Sequence, residues 1–182
     1  MVAGDVHEAL ALDRTIFVPA GTPPHRPAGT VLEAEGRLAL VEAAISGDER
    51  FEVWDEEVRR SGPSYTVDTL ESLSESHLES DLFLTIGADQ HAVFSTWHRP
   101  ERILELATVV VVERDGVASE EERSGQPGPP ASSLAHRRVQ ARRVDVSATE
   151  VRGRLGAGRS IRYLVPESVR RIIEENNWYI SG

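Results

Sequence analysis

The chain has 182 residues, a length that suits one domain able to bury a sizeable core. Its formal net charge of −10 argues against the basic face of a nucleic-acid or membrane-surface binder, and all 20 of its basic residues are arginine, a matter of composition. It has no cysteine, which excludes disulfides and thiolate metal sites, and no apolar stretch near the roughly 18 residues that span a bilayer.

Thr15 to Val18 is a strand-like apolar run, followed by Pro19-Ala20-Gly21-Thr22-Pro23-Pro24-His25-Arg26. Two consecutive prolines stiffen this loop, which suits it to presenting His25 and Arg26 to an anion at low entropic cost; exposed loop decoration is the alternative. Ala34, Leu38, Val41 and Ile45 recur at helical period, and Gly47 stands where a helix stops. Ser61 to Leu70 opens a further helix with Tyr65 and Thr66 at its start. That start either offers backbone amides to a carboxylate, or is a plain N-cap at Ser64 with Tyr65 packed on a sheet.

Leu82 to Ile86 is a second strand run, ending in Gly87-Ala88-Asp89. Asp89 stands at the carboxyl end of a strand as a candidate ligand contact, or caps a helix from Gln90 to Phe94. Trp97 offers a flat face to a ligand ring, or is an ordinary core residue. Ala107 to Val112 reads as a third strand, and the Gly, Pro, Ser and Glu of residues 114 to 133, without periodicity, read as a flexible surface loop.

An alternating segment from Val139 to Val146 reads as a strand, and Ser147 followed three residues later by Glu150 is a capping box. Exposed amides, two hydroxyls and Arg152 then surround one helix N-terminus, a setting that attracts phosphate; a merely capped helix with a surface arginine fits the same residues. After Pro166, Val169, Ile172 and Ile173 mark a last helix.

Short β-rich runs separated by helices indicate an α/β fold, a doubly wound parallel sheet with its ligand beyond the carboxyl ends of the strands. The Pro23-Pro24-His25 loop, Gly87-Ala88-Asp89 and Ser147 all belong to such ends, so one cleft is expected to collect them. His7 reads as a helix-surface residue, and Trp54, Trp178, His77, His91, His98 and His136 as packing or surface. Without ligand spacing among the histidines, no protein-built metal site is expected.

Together the blocks Phe17 to Arg26, Ser61 to Leu70, Leu82 to Asp89 with Trp97, Ser147 to Arg152 and Tyr163-Leu164-Val165-Pro166 resemble the bacterial nicotinate mononucleotide adenylyltransferases. That family is marked by P-x-G-x-P-P-H-[KR], S-Y-T-x-D-T-L, G-x-D with a downstream Trp, and I-S-[SA]-T-x-[IV]-R, and the resemblance runs from Asp5 to Ile180. It implies a Rossmann-like nucleotidyltransferase of NAD biosynthesis that moves the adenylyl group of ATP to nicotinate mononucleotide, with Mg²⁺ carried by the ATP phosphates. It further implies that Arg152 is catalytic, that Gly87, Asp89, Ser147, Thr149 and Arg152 bind ATP, and that His25, Arg26, Tyr65, Thr66 and Trp97 bind nicotinate mononucleotide. The partners are then these two small molecules, with no nucleic acid and no membrane; a homo-oligomer is left open, and the cytoplasm is the expected location.

The family's opening G-G-[ST]-F-D-P-x-H-x-G-H-L block, whose histidines grip the ATP phosphates, has no counterpart here, and Met1 to Leu10 resembles the helix that follows it. The expectation is therefore a single nucleotidyltransferase domain without its first, central strand, a reading frame that starts upstream of Met1, and a marginally stable 182-residue product. Two rival readings stand beside the leading one. One is another nucleotidyltransferase of the same superfamily, acting on phosphopantetheine or nicotinamide mononucleotide; the other is an inactive nucleotide-binding remnant.

Overall fold

The computed structural model describes residues 1–22, 32–114 and 136–179. In chain order the described elements begin with α1 (Val2–Leu10), β1 (Thr15–Phe17), α2 (Ala34–Ile45), β2 (Phe51–Val53) and α3 (Glu56–Arg59). They continue with α4 (Thr66–Ser76), β3 (Phe83–Gly87), α5 (Ala88–Ala92), a 3₁₀ turn (Phe94–Thr96) and α6 (Pro100–Leu106). The last are β4 (Thr108–Arg114), β5 (His136–Ala141), α7 (Ala148–Gly156) and α8 (Glu167–Glu175). The segment expected to form a loop at 114 to 133 lies, beyond Arg114, outside the described residues.

The chain folds as two compact units, one made of Met1–Leu12 and Tyr65–Arg143, the other of Asp13–Ser64 and Val144–Gly182. In the first, β3, β4 and β5 form a parallel sheet with β4 in the middle. The run Val109-Val110-Val111-Val112 makes β4 central because β-branched side chains suit a pleated strand buried on both faces. Its side chains alternate. Val109 and Val111 join Val67 and Leu70 of α4 and Ile103 of α6 on one face, while Val110 and Val112 join Val6 of α1 and Val139 of β5 on the other. Helices thus cover both faces, the arrangement expected for parallel strands.

Two details of this unit depart from the sequence reading. The strand expected to run to Val146 stops at Ala141, whose register partner in β4 is Arg114. The next backbone N–H, that of Arg142, donates to Asp5 Oδ2 instead of to a strand (3.0 Å). His7, expected on the helix surface, is buried. Val2, Val6 and Leu10 pack toward the sheet, and His7, only about 100° around the helix from Val6, falls within the arc that α1 lays on β5.

In the second unit β1 and β2 pair in parallel, Thr15 with Phe51 and Phe17 with Val53, and the Phe17 and Phe51 rings meet edge to face at 5.5 Å. The helix expected over residues 34–45 forms as α2, with Gly47 at φ 90° just beyond its end. α2 packs on α8, where Ser168 Oγ donates to the carbonyl of Ala43 (2.6 Å). The unit's core is Val151 and Leu155 of α7, Ile161, and Val169 and Ile173 of α8, backed by Leu40 and Ala43.

Candidate functional site

In the second unit, α7 begins as its sequence dictates. Ser147 is the N-cap in extended backbone (φ −112°, ψ 150°), and its Oγ accepts from the N–H of Glu150 at 3.1 Å. The valine and leucine of this helix, Val151 and Leu155, point into the core, which turns Thr149 and Arg152 outward to the solvent. There Arg152 Nη2 donates to Thr149 Oγ1 (3.3 Å), so the guanidinium stands over the first turn. Helix geometry leaves the first-turn amides without partners along the helix, so hydroxyls, amides and a forked cation share one positive end.

The same unit also organises the backbone up to Thr22, while His25 and Arg26 lie outside the described residues. Ser64 Oγ accepts from the N–H groups of Gly21 (3.0 Å) and Thr22 (3.2 Å), and the Ser64 N–H donates to the carbonyl of Thr22 (3.0 Å). Ser64 is therefore not the N-cap of α4, the alternative that the sequence left open; that position belongs to Tyr65. Arg37 of α2 donates to the carbonyls of Ala20, Gly21 and Leu32, the Gly21 bond at 2.8 Å.

In the first unit, Tyr65 precedes α4 in extended backbone and Thr66 is its first residue, so both occupy a helix start as the sequence predicts. The Tyr65 ring lies 4.4 Å from that of His98, and the Trp97 ring 5.4 Å from that of Phe94. Both Tyr65 and Trp97 are half-buried against the core formed by Val67, Ile86 and Phe94. β3 ends at Gly87, the N-cap of α5, so α5 starts two residues earlier than expected and Asp89 lies inside it rather than before it. Asp89 is exposed and its carboxylate bends back over Gly87, where a Cβ would lie 2.6 Å from Oδ1.

Three features of these surroundings escaped the sequence reading: the Arg37 clamp, the pairing of His98 with Tyr65, and an ion network around Glu71. Glu71 accepts from Arg102 Nε (3.0 Å) and Arg99 Nη2 (3.2 Å), and the hydrogen bond from Arg102, with the Arg99 charge behind it, holds its carboxyl below the ordinary range. No motif announces such contacts, since they join residues roughly 30 positions apart. Among the described residues no group of three or more His, Asp or Glu side chains stands ready for a metal ion, and no helix is long and apolar enough to cross a membrane.

Comparison with known proteins gives this geometry a family. The cytidylyltransferase-like family profile matches residues 1–154. A curated relative from Salinibacter ruber, named "Probable nicotinate-nucleotide adenylyltransferase", is 38% identical over 98% of this chain and 89% of its own. One of the same name from Pseudomonas aeruginosa (strain UCBPP-PA14) is 39% identical over 97% of this chain and 88% of its own. The chain belongs to the nicotinate-nucleotide adenylyltransferase family. Among solved structures, the Plasmodium falciparum nicotinic acid mononucleotide adenylyltransferase complexed with NaAD matches with a TM-score of 0.74 at 16% identity, covering 98% of this chain and 88% of that one. That likeness establishes the fold, and the expected Rossmann-like nucleotidyltransferase architecture is the one the chain has. Its nicotinate-nucleotide adenylyltransferase relatives thus extend over the same blocks, Phe17 to Pro166, that carry the resemblance in the sequence.

Proposed function

We propose that this chain transfers the adenylyl group of ATP to nicotinate mononucleotide, giving deamido-NAD and pyrophosphate in NAD biosynthesis. The observation that supports the reading is the start of α7, where Ser147, Thr149 and Arg152 bring two hydroxyls and a guanidinium to one helix end in a chain of this family. A 5′-phosphate oxygen of nicotinate mononucleotide forms a bond to the α-phosphorus of ATP while the bond to the bridging oxygen breaks and pyrophosphate departs. The reaction needs no protein nucleophile, so catalysis is alignment of two phosphates and neutralisation of the charge that builds on the leaving group.

Arg152 is the residue we assign to that neutralisation, with Ser147, Thr149 and the first-turn amides of α7 as further phosphate donors. Mg²⁺ enters with ATP as part of the substrate, held by its phosphate oxygens. Asp89 accepts from ribose hydroxyls, and Gly87 lets the sugar come close to the backbone. The Tyr65 and Thr66 amides at the start of α4 read the nicotinate carboxylate, and Trp97 stacks on the pyridine ring. His25 and Arg26 supply cationic or hydrogen-bonding contacts to the mononucleotide phosphate.

The test is an assay of the purified chain with Mg²⁺ and ATP against nicotinate mononucleotide, nicotinamide mononucleotide and phosphopantetheine, following pyrophosphate and the dinucleotide. Preferred turnover of the acid supports the reading. Preference for either rival substrate, or no turnover, overturns it.

A further inference from the structure

We propose that Glu71 is a positioning residue for the pyridine end of the substrate, acting through the turn that carries Trp97 and His98; the proposal rests on the function just given. α4 touches this turn at two places. At its start the Tyr65 ring lies 4.4 Å from His98, tilted by 32°. A turn and a half later, Glu71 receives Arg99 Nη1 (3.5 Å), Arg99 Nη2 (3.2 Å) and Arg102 Nε (3.0 Å), while Arg102 gives Nη1 to Glu105 (2.8 Å).

What Glu71 holds is an unfavourable conformation. Arg99 is the N-cap of α6 at φ 53° and ψ 56°, the left-handed region that a side chain with a Cβ populates rarely. Pro100 at the first helical position fixes the backbone on the other side of it. The left-handed residue sets the angle between α6 and the preceding Trp97-His98, and Trp97 is half-buried with its ring 5.4 Å from Phe94. If Arg99 leaves this conformation, Trp97 and the His98–Tyr65 pair turn with it.

The ion pairs themselves add little to stability. The side chains of Glu71, Arg99 and Arg102 are 32%, 48% and 40% exposed, and exposed pairs are screened by water. The value of the network is therefore in geometry, and this separates the proposal from a structural role. A positioning defect raises the KM of one substrate, whereas a folding defect removes active enzyme and lowers turnover for both.

The experiment compares the whole wild-type enzyme with Glu71→Gln and Glu71→Ala, in a Trp54→Phe/Trp178→Phe background that leaves Trp97 as the fluorescent reporter. The expected result is a rise of about tenfold in the KM for nicotinate mononucleotide, inside the roughly 10²-fold that an ångström of misplacement can cost. The KM for ATP stays within about twofold, the melting temperature is nearly unchanged, and nicotinate mononucleotide quenches Trp97 less in both variants. Equal KM values in wild type and variants overturn the proposal, as does a parallel loss for both substrates with a lowered melting temperature. A wild-type enzyme that turns over a substrate other than nicotinate mononucleotide instead overturns the proposed function on which the assignment rests.

Discussion

Arg142 closes on Asp5 with three nitrogens: its backbone N–H meets Oδ2 at 3.0 Å, and Nε and Nη2 meet Oδ1 at 2.9 and 2.7 Å. The contact ties α1 to the end of β5, across 137 positions of sequence, beside the core of Val6, Val110 and Val139. The Arg142 hydrogen bonds hold the Asp5 carboxyl below its ordinary range, so its contribution to stability is complete above the usual carboxylate pKa and disappears as the pH falls through the lower, folded value. Melting followed by circular dichroism from pH 7 downward is expected to show the wild type more stable than Asp5→Asn at neutral pH. The gap should close below about pH 4, where the unfolded carboxylate takes up its proton. A gap that stays constant across the series would remove the ion pair as its cause.

Gly21 has no freedom to carry a side chain. A Cβ there would lie 1.9 Å from the carbonyl oxygen of Glu57, a backbone atom that cannot move aside cheaply, and the Gly21 N–H is already committed to Ser64. Gly21→Ala is therefore expected to cost on the order of 1–3 kcal/mol, the range for overpacking a close contact. Gly47 is the control: a Cβ there meets nothing within 4 Å, so alanine costs only the strain of its φ of 90°, about 1 kcal/mol. Urea titration of the two variants checks the order, and equal losses would mean that the Glu57 carbonyl yields.

These two relationships also show what could be read from the residues and what could not. The valine run of β4, the helical period of α2 and the capping box at Ser147 are local signals, and each produced the element it announced. Just past the end of β5 the Arg142 N–H is taken by Asp5, 137 positions away, and the burial of His7 depends on which arc of α1 meets the sheet; neither is encoded within its own segment. Among the site residues, Tyr65, Thr66, Ser147, Thr149 and Arg152 stand at the helix starts that their motifs predicted. Ser64 looked like one more cap but bonds to Gly21 and Thr22, 42 or more positions away, and Arg37 and Glu71 carry no signature at all, because arginine and glutamate on a helix face ordinarily face water.

Trp97 is argued to offer one face to the pyridine ring while its other side rests on Phe94. Trp97→Phe keeps an apolar ring over Phe94 and loses part of the stacking area, so the KM for nicotinate mononucleotide should rise while the melting temperature changes little. Trp97→Ala should raise that KM further, by about fivefold to 10²-fold for the loss of about 1–3 kcal/mol of stacking. It should also lower stability, since Phe94 loses its cover. Steady-state kinetics with each substrate varied in turn decides the matter, and a KM that moves for ATP alone would reassign the tryptophan to the adenine.

The start of α7 separates two roles that lie one turn apart. Ser147 Oγ completes the helix by accepting from Glu150, so Ser147→Ala should lower stability by about 1 kcal/mol, the usual worth of an N-cap. Arg152 makes its described contact with Thr149 Oγ1 at the exposed helix start, so Arg152→Ala should leave the melting temperature close to that of the wild type. In the role proposed for it, Arg152 acts in the transition state, where charge grows on the departing pyrophosphate, and the expected loss is about 10²-fold or more in kcat. Arg152→Lys keeps the charge but not the fork, and should recover only part of the rate. Single-turnover measurements with ATP and nicotinate mononucleotide at saturation isolate that step; full activity in Arg152→Ala would mean that the leaving group is neutralised by other groups, and the phosphate site assigned to α7 would have to be given up.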